Sequence, residues 1–551
     1  MKLDYKKTIK VGLAFSIIMI FWTAYDYVVP LLLENTFGLS NSWRGLIMGL
    51  DNLLSLFMLP LFGRISDKTK TKFGKRTPFI FCGTILAVFL MVFVPISSNK
   101  QLNEAMALRS EITNTSSVDY SYTDTNNTTY SAHDLYSMLF KKGYENSDYC
   151  DHSYLKTNNI DTEEQYLEIA LNGRAQDGSL TSDYKKFVSS GLDNYASDEI
   201  QEKITKNNPA TIAIYMSILF FVLVAMATFR SPAVALMPDV TPKPLRSQAN
   251  AMINLVGGAG GAIAFIIYTI VLRFNPSAYI LVFILVAISM LLLLLAFLKL
   301  VNERKMLAEC EAICAEYGIV DEDITEDTKT DEPLPLLLND DIKKARLKSF
   351  IFILASIFMW FMGYNAVTTN LSIYITTTLN LDPGLGGLVN GISMGISAIA
   401  FIPVGFLAVK IGRRKSIVLG FILSIISFVL IFFFASNPNS TAAVFFTMFY
   451  LLAGFGLIIA NVNTFPMVVE LSTKGSIGKY TGLYYTATMS AQAITPFVAG
   501  LFMDELGNKF LFLYAPVCVC VAIVFMMLVK HGDSKPIPPK TKLELIGAGD
   551  D

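Results

Sequence analysis

Long apolar runs separated by short polar stretches dominate the chain. They fall at roughly 11–33, 44–63, 78–97, 210–230, 251–273, 278–300, 347–372, 384–407, 416–436, 441–465, 479–503 and 509–530. Each approaches the about 20 apolar residues that a membrane-crossing helix needs. The pattern therefore predicts an all-α membrane protein with twelve transmembrane helices in two similar halves. The first run follows Lys2, Lys6, Lys7 and Lys10, as a signal peptide would. It is long, holds Asp26 and lacks a small-residue cleavage site, so it is expected to be retained.

Positive charge sets the expected orientation. Arg64, Lys68, Lys70, Lys72, Lys75 and Arg76 fill the loop after the second run, and Lys410, Arg413, Arg414 and Lys415 fill the loop after the eighth. Basic loops stay in the cytoplasm, so both termini are expected there, in a multi-pass protein of the plasma membrane. The expected units are an N-terminal half (1–97 and 210–300), an extracellular insertion (98–209), a cytoplasmic linker (301–346), a C-terminal half (347–530) and a cytoplasmic tail (531–551). The insertion carries 18 Asp and Glu against 10 Lys and Arg, which a long translocated loop tolerates. Its stretch Thr162–Ala170 reads as helical, so a small folded cap is expected. Cys150 is its single cysteine, which rules out an internal disulfide. Asn114-Thr-Ser and Asn126-Asn-Thr-Thr match glycosylation sequons, a short pattern with meaning only in some cells. In the linker, a Glu/Lys-rich helix is expected around Asn302–Tyr317, with Cys310 and Cys314 as reduced thiols one turn apart.

Composition narrows the classes. Of 551 residues, 53% are hydrophobic and 16% charged, and the mean hydropathy is +0.48. Soluble proteins carry about 25% charged residues. The net charge of -1 leaves no electrostatic footprint for nucleic acid. Six Cys and three His are too scattered for a metal framework, and no cofactor is expected. There is no G-x-x-x-x-G-K-[ST] loop to drive the protein with ATP. His133 and His152 lie in the insertion and His531 in the tail, away from any membrane proton path. An enzyme is not expected.

Two loops repeat in register. Gly63-Arg-Ile-Ser-Asp67 runs on to Gly74-Lys75-Arg76-Thr-Pro78, and Gly405-Phe-Leu-Ala-Val-Lys-Ile-Gly412 runs on to Arg413-Arg414-Lys415. Gly63 and Gly405 allow close helix approach. Asp67 can pair with basic residues or with the positive end of a helix. The loops either set topology alone or form a clasp that breaks and reforms. Arg230, Asp239 and Glu470, near the same edge, are candidate gate partners, with Arg230 pairing Asp239 or Asp67 or reaching to water.

The six-plus-six layout and the repeated loop resemble the major facilitator superfamily. The eleven-residue step from Gly63 to Gly74 is longer than that family's usual spacing. This stretched form, ending Gly74-Lys-Arg-Thr-Pro-Phe-Ile80, resembles the sucrose and disaccharide proton symporters and the glycoside–cation symporters of the melibiose-carrier type. Arg230-Ser-Pro-Ala-Val-Ala-Leu-Met-Pro-Asp239, Arg246-Ser-Gln-Ala-Asn250 and Gly478-Lys-Tyr-Thr-Gly-Leu-Tyr-Tyr485 running to Gln492 support the same branch. The resemblance spans nearly all twelve runs but not 98–209. Val409-Lys410 stands where the family often has an acidic–basic pair, so the second clasp is expected to be built differently. The resemblance implies that the two halves are two six-helix bundles, in a monomer that imports a sugar, a glycoside or disaccharide, with a coupling cation, H+ or Na+, through alternating access. A proton-coupled exporter of small hydrophobic compounds and a non-transporting membrane sensor are the alternatives.

Ionisable groups inside a span are functional candidates. Asp26, sharing a helix face with Trp22, and Asp51, one turn from Ser55, are the cation-coupling candidates; each can instead be a sugar ligand or a structural carboxylate. Sugar sites combine rings with amides and hydroxyls. The candidates are Trp22 and Tyr25 in the first run, Asn254 in the fifth, Trp360, Tyr364 and Asn365 in the seventh, Asn461 in the tenth, and Tyr485 and Gln492 in the eleventh. Each ring can equally be packing.

Overall fold

The structure, a computed structural model, describes residues 3–116, 119–174, 179–242, 246–316, 340–381, 383–384, 386–387, 411–435, 441–471 and 477–531. The N-terminal half contains α1 (Tyr5–Phe37), α2 (Asn41–Lys68), α3 (Thr77–Thr113), and then α9 (Pro209–Asp239), α10 (Arg246–Phe274) and α11 (Tyr279–Leu300). Between α3 and α9 lie a two-stranded hairpin, β1 (Tyr122–Thr123) and β2 (Thr129–Tyr130), and five short helices. These are α4 (Ala132–Lys142), α5 (His152–Thr157), α6 (Glu163–Leu171), α7 (Ser182–Phe187) and α8 (Ser189–Ile200). After α12 (Glu303–Glu316) come α13 (Asp340–Ile373), α14 (Arg413–Phe434), α15 (Ala442–Glu470), α16 (Ile477–Leu506) and α17 (Leu511–Met527).

Ten helical stretches among the described residues are long and apolar enough to cross a membrane. Of the two other expected runs, 384–407 lies almost wholly outside the described residues, and 479–503 is α16, which is long but not among those ten. One boundary differs clearly from expectation. The apolar run 78–97 continues as helix to Thr113, because the polar extension places Ile112 in the core of the inserted segment, with Leu108 packed against it. That segment has its own core of Tyr122, Tyr136, Tyr166, Leu135, Leu139 and Leu192. Its helix at 162–170 is present as α6, with Thr162 and Gln165 forming a capping box.

A continuous apolar core unites α1, α2, α3, α9, α10 and α11, and separate clusters unite α13 to α17. The halves meet chiefly along α2 and α16. Gly45 permits this: a Cβ there would lie 1.9 Å from the Pro496 carbonyl oxygen. At the start of α2, the Asp504 carboxylate accepts from Asn41 N (2.7 Å) and Ser42 N (2.9 Å). An acidic group at the positive end of a helix is favourable, and these amides have no partner within the helix. Tyr27 adds a bond from its hydroxyl to the Pro383 carbonyl (2.6 Å). The hydrogen bonds that Tyr27, Asn41 and Ser42 make between the halves lie on the side that carries the insertion. The opposite side carries the start of α1 and the end of α17 and is called the terminal side below.

Candidate functional site

A cavity of about 420 Å³ lies between the halves. Helical periodicity builds its walls. On α1, Met19, Trp22, Thr23, Asp26 and Tyr27 recur at steps of three and four and share one face. Met48, Asp51 and Asn52 do the same on α2, and Arg230 enters from α9. The facing wall is Tyr364, Asn365, Thr368 and Thr369 of α13, Tyr450 and Leu457 of α15, and Gln492 of α16.

The two walls differ in chemistry. All three charged lining residues, Asp26, Asp51 and Arg230, belong to the N-terminal half; amides, hydroxyls and phenols line the other. Asp26 is exposed to the cavity space, whereas Asp51 is buried and accepts from Asn52 Nδ2 (2.8 Å). The Arg230 guanidinium sits 5.3 Å from the centre of the Trp22 ring, within cation–π reach. Trp22 Nε1 is buried with no hydrogen-bond partner. Thr368 Oγ1 donates to the Asn365 carbonyl (3.3 Å) and lies 3.5 Å from Asn365 Oδ1, and both residues line the cavity.

Of the expected ligand residues, Trp22, Asp26, Asp51, Tyr364, Asn365 and Gln492 line the cavity, and the others do not. Trp360 is fully buried, stacked between Tyr364 (5.6 Å) and Phe421 (4.9 Å). A four-residue step overshoots one helical turn by about 40°. Tyr364 and Thr368 therefore face the cavity while Trp360 rotates behind the wall. Tyr25 is 1% exposed and stacks on Phe21 at 5.7 Å. Asn254 and Asn461 lie outside the lining, each with a buried amide atom lacking a partner. Tyr485 is 41% exposed beside Phe465 and Tyr484.

The terminal side holds a second assembly. Arg76 donates from Nε to Asp239 (2.8 Å) and from a terminal nitrogen to Asp67 (2.5 Å), and it also bonds the Ser66 hydroxyl. Lys75 pairs with Asp239 at 3.2 Å, and Ser66 Oγ donates to the Gly63 carbonyl (2.9 Å). Burial alone would lower the Arg76 pKa, but the carboxylates of Asp239 and Asp67 outweigh it and hold the pKa above its ordinary value. Arg230, expected at this edge, is absent from it and stands in the cavity instead. Arg414 bonds the Met527 carbonyl (2.5 Å) at the start of α14, next to Arg413. Gly405 and the Glu470 side chain lie outside the described residues.

Sequence reading missed Glu303, the first acidic residue after the sixth apolar run. Its buried carboxylate accepts from Lys75 N (2.6 Å), Arg76 N (3.0 Å), Thr77 N (2.8 Å) and Thr77 Oγ1 (2.7 Å), capping α3. Gly74 makes room for it: φ is +116°, and a Cβ would lie 2.2 Å from the Glu303 carboxyl carbon. Thr368 and Thr369, polar residues of the seventh run that the sequence also offers, line the cavity as well, whereas Asn52 and Tyr450 carry no sequence signal of their own.

Comparison with known proteins places this geometry. The profile of the Major Facilitator Superfamily matches residues 208–489 and again 353–548, and the profile described as MFS/sugar transport protein matches residues 11–121. Solute carrier family 45 member 3 of Mus musculus is 37% identical over 68 residues, and so is that of Homo sapiens. The match spans only 12% of this chain and 12% of those relatives. Among solved structures, a bacterial homologue of the iron transporter ferroportin superposes with a TM-score of 0.55 at 14% identity, covering 96% of this chain and 98% of that one. A D-xylose–proton symporter does so with 0.51 at 14% identity, covering 95% and 97%. These likenesses establish the fold. With the profile matching well over half its length and the cavity set between two helical halves, the chain belongs to the major facilitator superfamily and is a multi-pass membrane transporter, not an enzyme.

Proposed function

We propose that this transporter imports a glycoside or disaccharide together with a cation, most simply a proton, by alternating access. The observation that carries the reading is the cavity itself, with carboxylates and a guanidinium on one wall and a ring, amides and hydroxyls within reach of the same space. The match of residues 11–121 to a sugar-transport profile supports it. The basic loop 64–76 puts the terminal side in the cytoplasm by the positive-inside rule, and the insertion outside the plasma membrane. In that orientation the present state is closed to the outside. The halves are taken as 1–97 with 210–300 and as 347–530, acting within a monomer.

Coupling follows from charge. With both carboxylates ionised against one guanidinium, the empty cavity carries one net negative charge. Closing the halves over an unneutralised carboxylate is costly. A cation on Asp26, the exposed carboxylate, brings the sum to zero while Asp51 and Arg230 offset each other. Sugar bridging Trp22 and the α13 face then draws the two walls together. A carrier holding both solutes closes over a neutral cavity; a carrier holding sugar alone keeps the unneutralised carboxylate and crosses poorly.

The test is uptake of labelled sucrose, maltose and melibiose into proteoliposomes under an imposed inward proton gradient. Accumulation of one of them above its outside concentration is the expected result. Failure to accumulate any of them, with extrusion of a hydrophobic dye instead, would overturn the sugar reading.

A further inference from the structure

We propose that the insertion is an external latch that holds the two halves together on its own side. This rests on the alternating-access reading, but on neither the sugar nor the cation. The insertion is joined to the two halves in unlike ways. Toward the N-terminal half it is welded. It grows out of α3 as one continuous helix, and its core takes Ile112 from that helix. Thr205 Oγ1 donates to the Phe37 carbonyl (2.9 Å) and receives from Gln101 Nε2 (3.0 Å). Gln101 Nε2 also donates to the Thr36 carbonyl (3.3 Å).

Toward the C-terminal half the joints are few and polar. Ser190 Oγ donates to the Thr377 carbonyl (2.8 Å), Asn380 Nδ2 donates to the Lys185 carbonyl (2.9 Å), and Lys509 pairs with Asp151. Among the described residues, none of the C-terminal half enters the apolar core of the insertion. A polar groove of about 120 Å³, between Asp148 and Asn194 on one side and Thr377 and Asn508 on the other, separates the surfaces. An interface of this kind releases without stripping apolar surface.

The grip converges on one turn of the C-terminal half. Asp504 and Asn508 are held by the start of α2, the latter through Asn41 Nδ2 (2.9 Å), and the next residue, Lys509, is held by the insertion. When α16 moves away from α2, the joints of both must break together. Partly exposed pairs and neutral hydrogen bonds are individually weak. Three of them together bias the closed state without locking it.

The experiment uses the full-length chain with its six cysteines changed to Ser and a reporter, Met48→Cys, in the cavity wall. A membrane-impermeant maleimide is applied to intact cells, which present the insertion side, and to inside-out vesicles. The triple variant Lys509→Gln, Ser190→Ala, Asn380→Ala should label from the insertion side roughly ten-fold faster than its parent. The charge swap Asp151→Lys with Lys509→Asp should label more slowly than Lys509→Asp alone, which separates a lost joint from a misfolded insertion. Equal rates in parent, triple variant and swap would overturn the latch alone. A reporter that never labels from the insertion side, while labelling from the other, would overturn alternating access as well.

Discussion

Removing the Glu303 carboxylate tests how the linker helix is bound to the loop between α2 and α3. Glu303 is 3% exposed and takes three backbone amides and one hydroxyl from residues 75–77. Glu303→Ala leaves those donors buried and the start of α3 uncapped. Losing a helix cap costs about 0.5–2 kcal/mol. A hydrogen bond to a charged group contributes about 1.5–3 kcal/mol, part of which water recovers. A net local cost of about 3 kcal/mol is therefore expected. At about 1.4 kcal/mol per factor of ten, local opening becomes roughly a hundred-fold more frequent. Hydrogen exchange of the Lys75, Arg76 and Thr77 amides reads this directly, and trypsin cleavage after Arg304 and Lys305 should rise with it. Glu303→Gln, which keeps one acceptor oxygen, should fall between. Unchanged exchange at all three amides in Glu303→Ala would refute the cap and leave α12 a tethered helix without a structural role.

Gly45→Ala forces a Cβ into the Pro496 carbonyl, and overpacking of about 2 kcal/mol shifts the population roughly thirty-fold away from the state closed on the insertion side; spin-label distances between α2 and α16 should lengthen. Trp360→Ala should cost about 3–5 kcal/mol of stability. Trp360→Phe should leave the KM for sugar within about two-fold, since the ring lies behind the wall; a ten-fold rise would place it in the site. Burial, with Asp504, Asp198 and Asp151 nearby, pushes Asp148 from 3.8 up to about 7, against the opposing charge of Lys509. Its folded form therefore holds a proton that the unfolded chain releases above pH 4, so the insertion should lose thermal stability as pH rises from about 4 to about 7. Asp148→Asn should flatten that slope.

The sequence pattern and the structure part company for identifiable reasons. The apolar runs locate the helices because spans must be apolar on every lipid-facing side. They do not locate helix ends where a polar extension finds a soluble partner, as α3 does beyond residue 97. Asp26 and Asp51 stood out because a charge inside an apolar run has few neighbours to hide among. Arg230 was assigned to the inner edge through Asp239, yet nine residues of helix advance about 13 Å, more than a guanidinium can reach back. Trp360, Tyr364 and Thr368 recur every four residues, a spacing that looks like one helix face. Over two steps the drift reaches about 80°, and the cavity sees only the later members. Glu303 and Asp504 gave no signal, because their partners lie some 226 and 463 positions away in the chain.

The central claim is that a cation on Asp26 makes sugar movement uphill. Asp26→Asn is permanently neutral at that position. In proteoliposomes it should fail to accumulate labelled sugar under a proton gradient, while still exchanging labelled for unlabelled sugar across a membrane with sugar on both sides. Uphill accumulation by Asp26→Asn at the unsubstituted protein's rate would contradict the account.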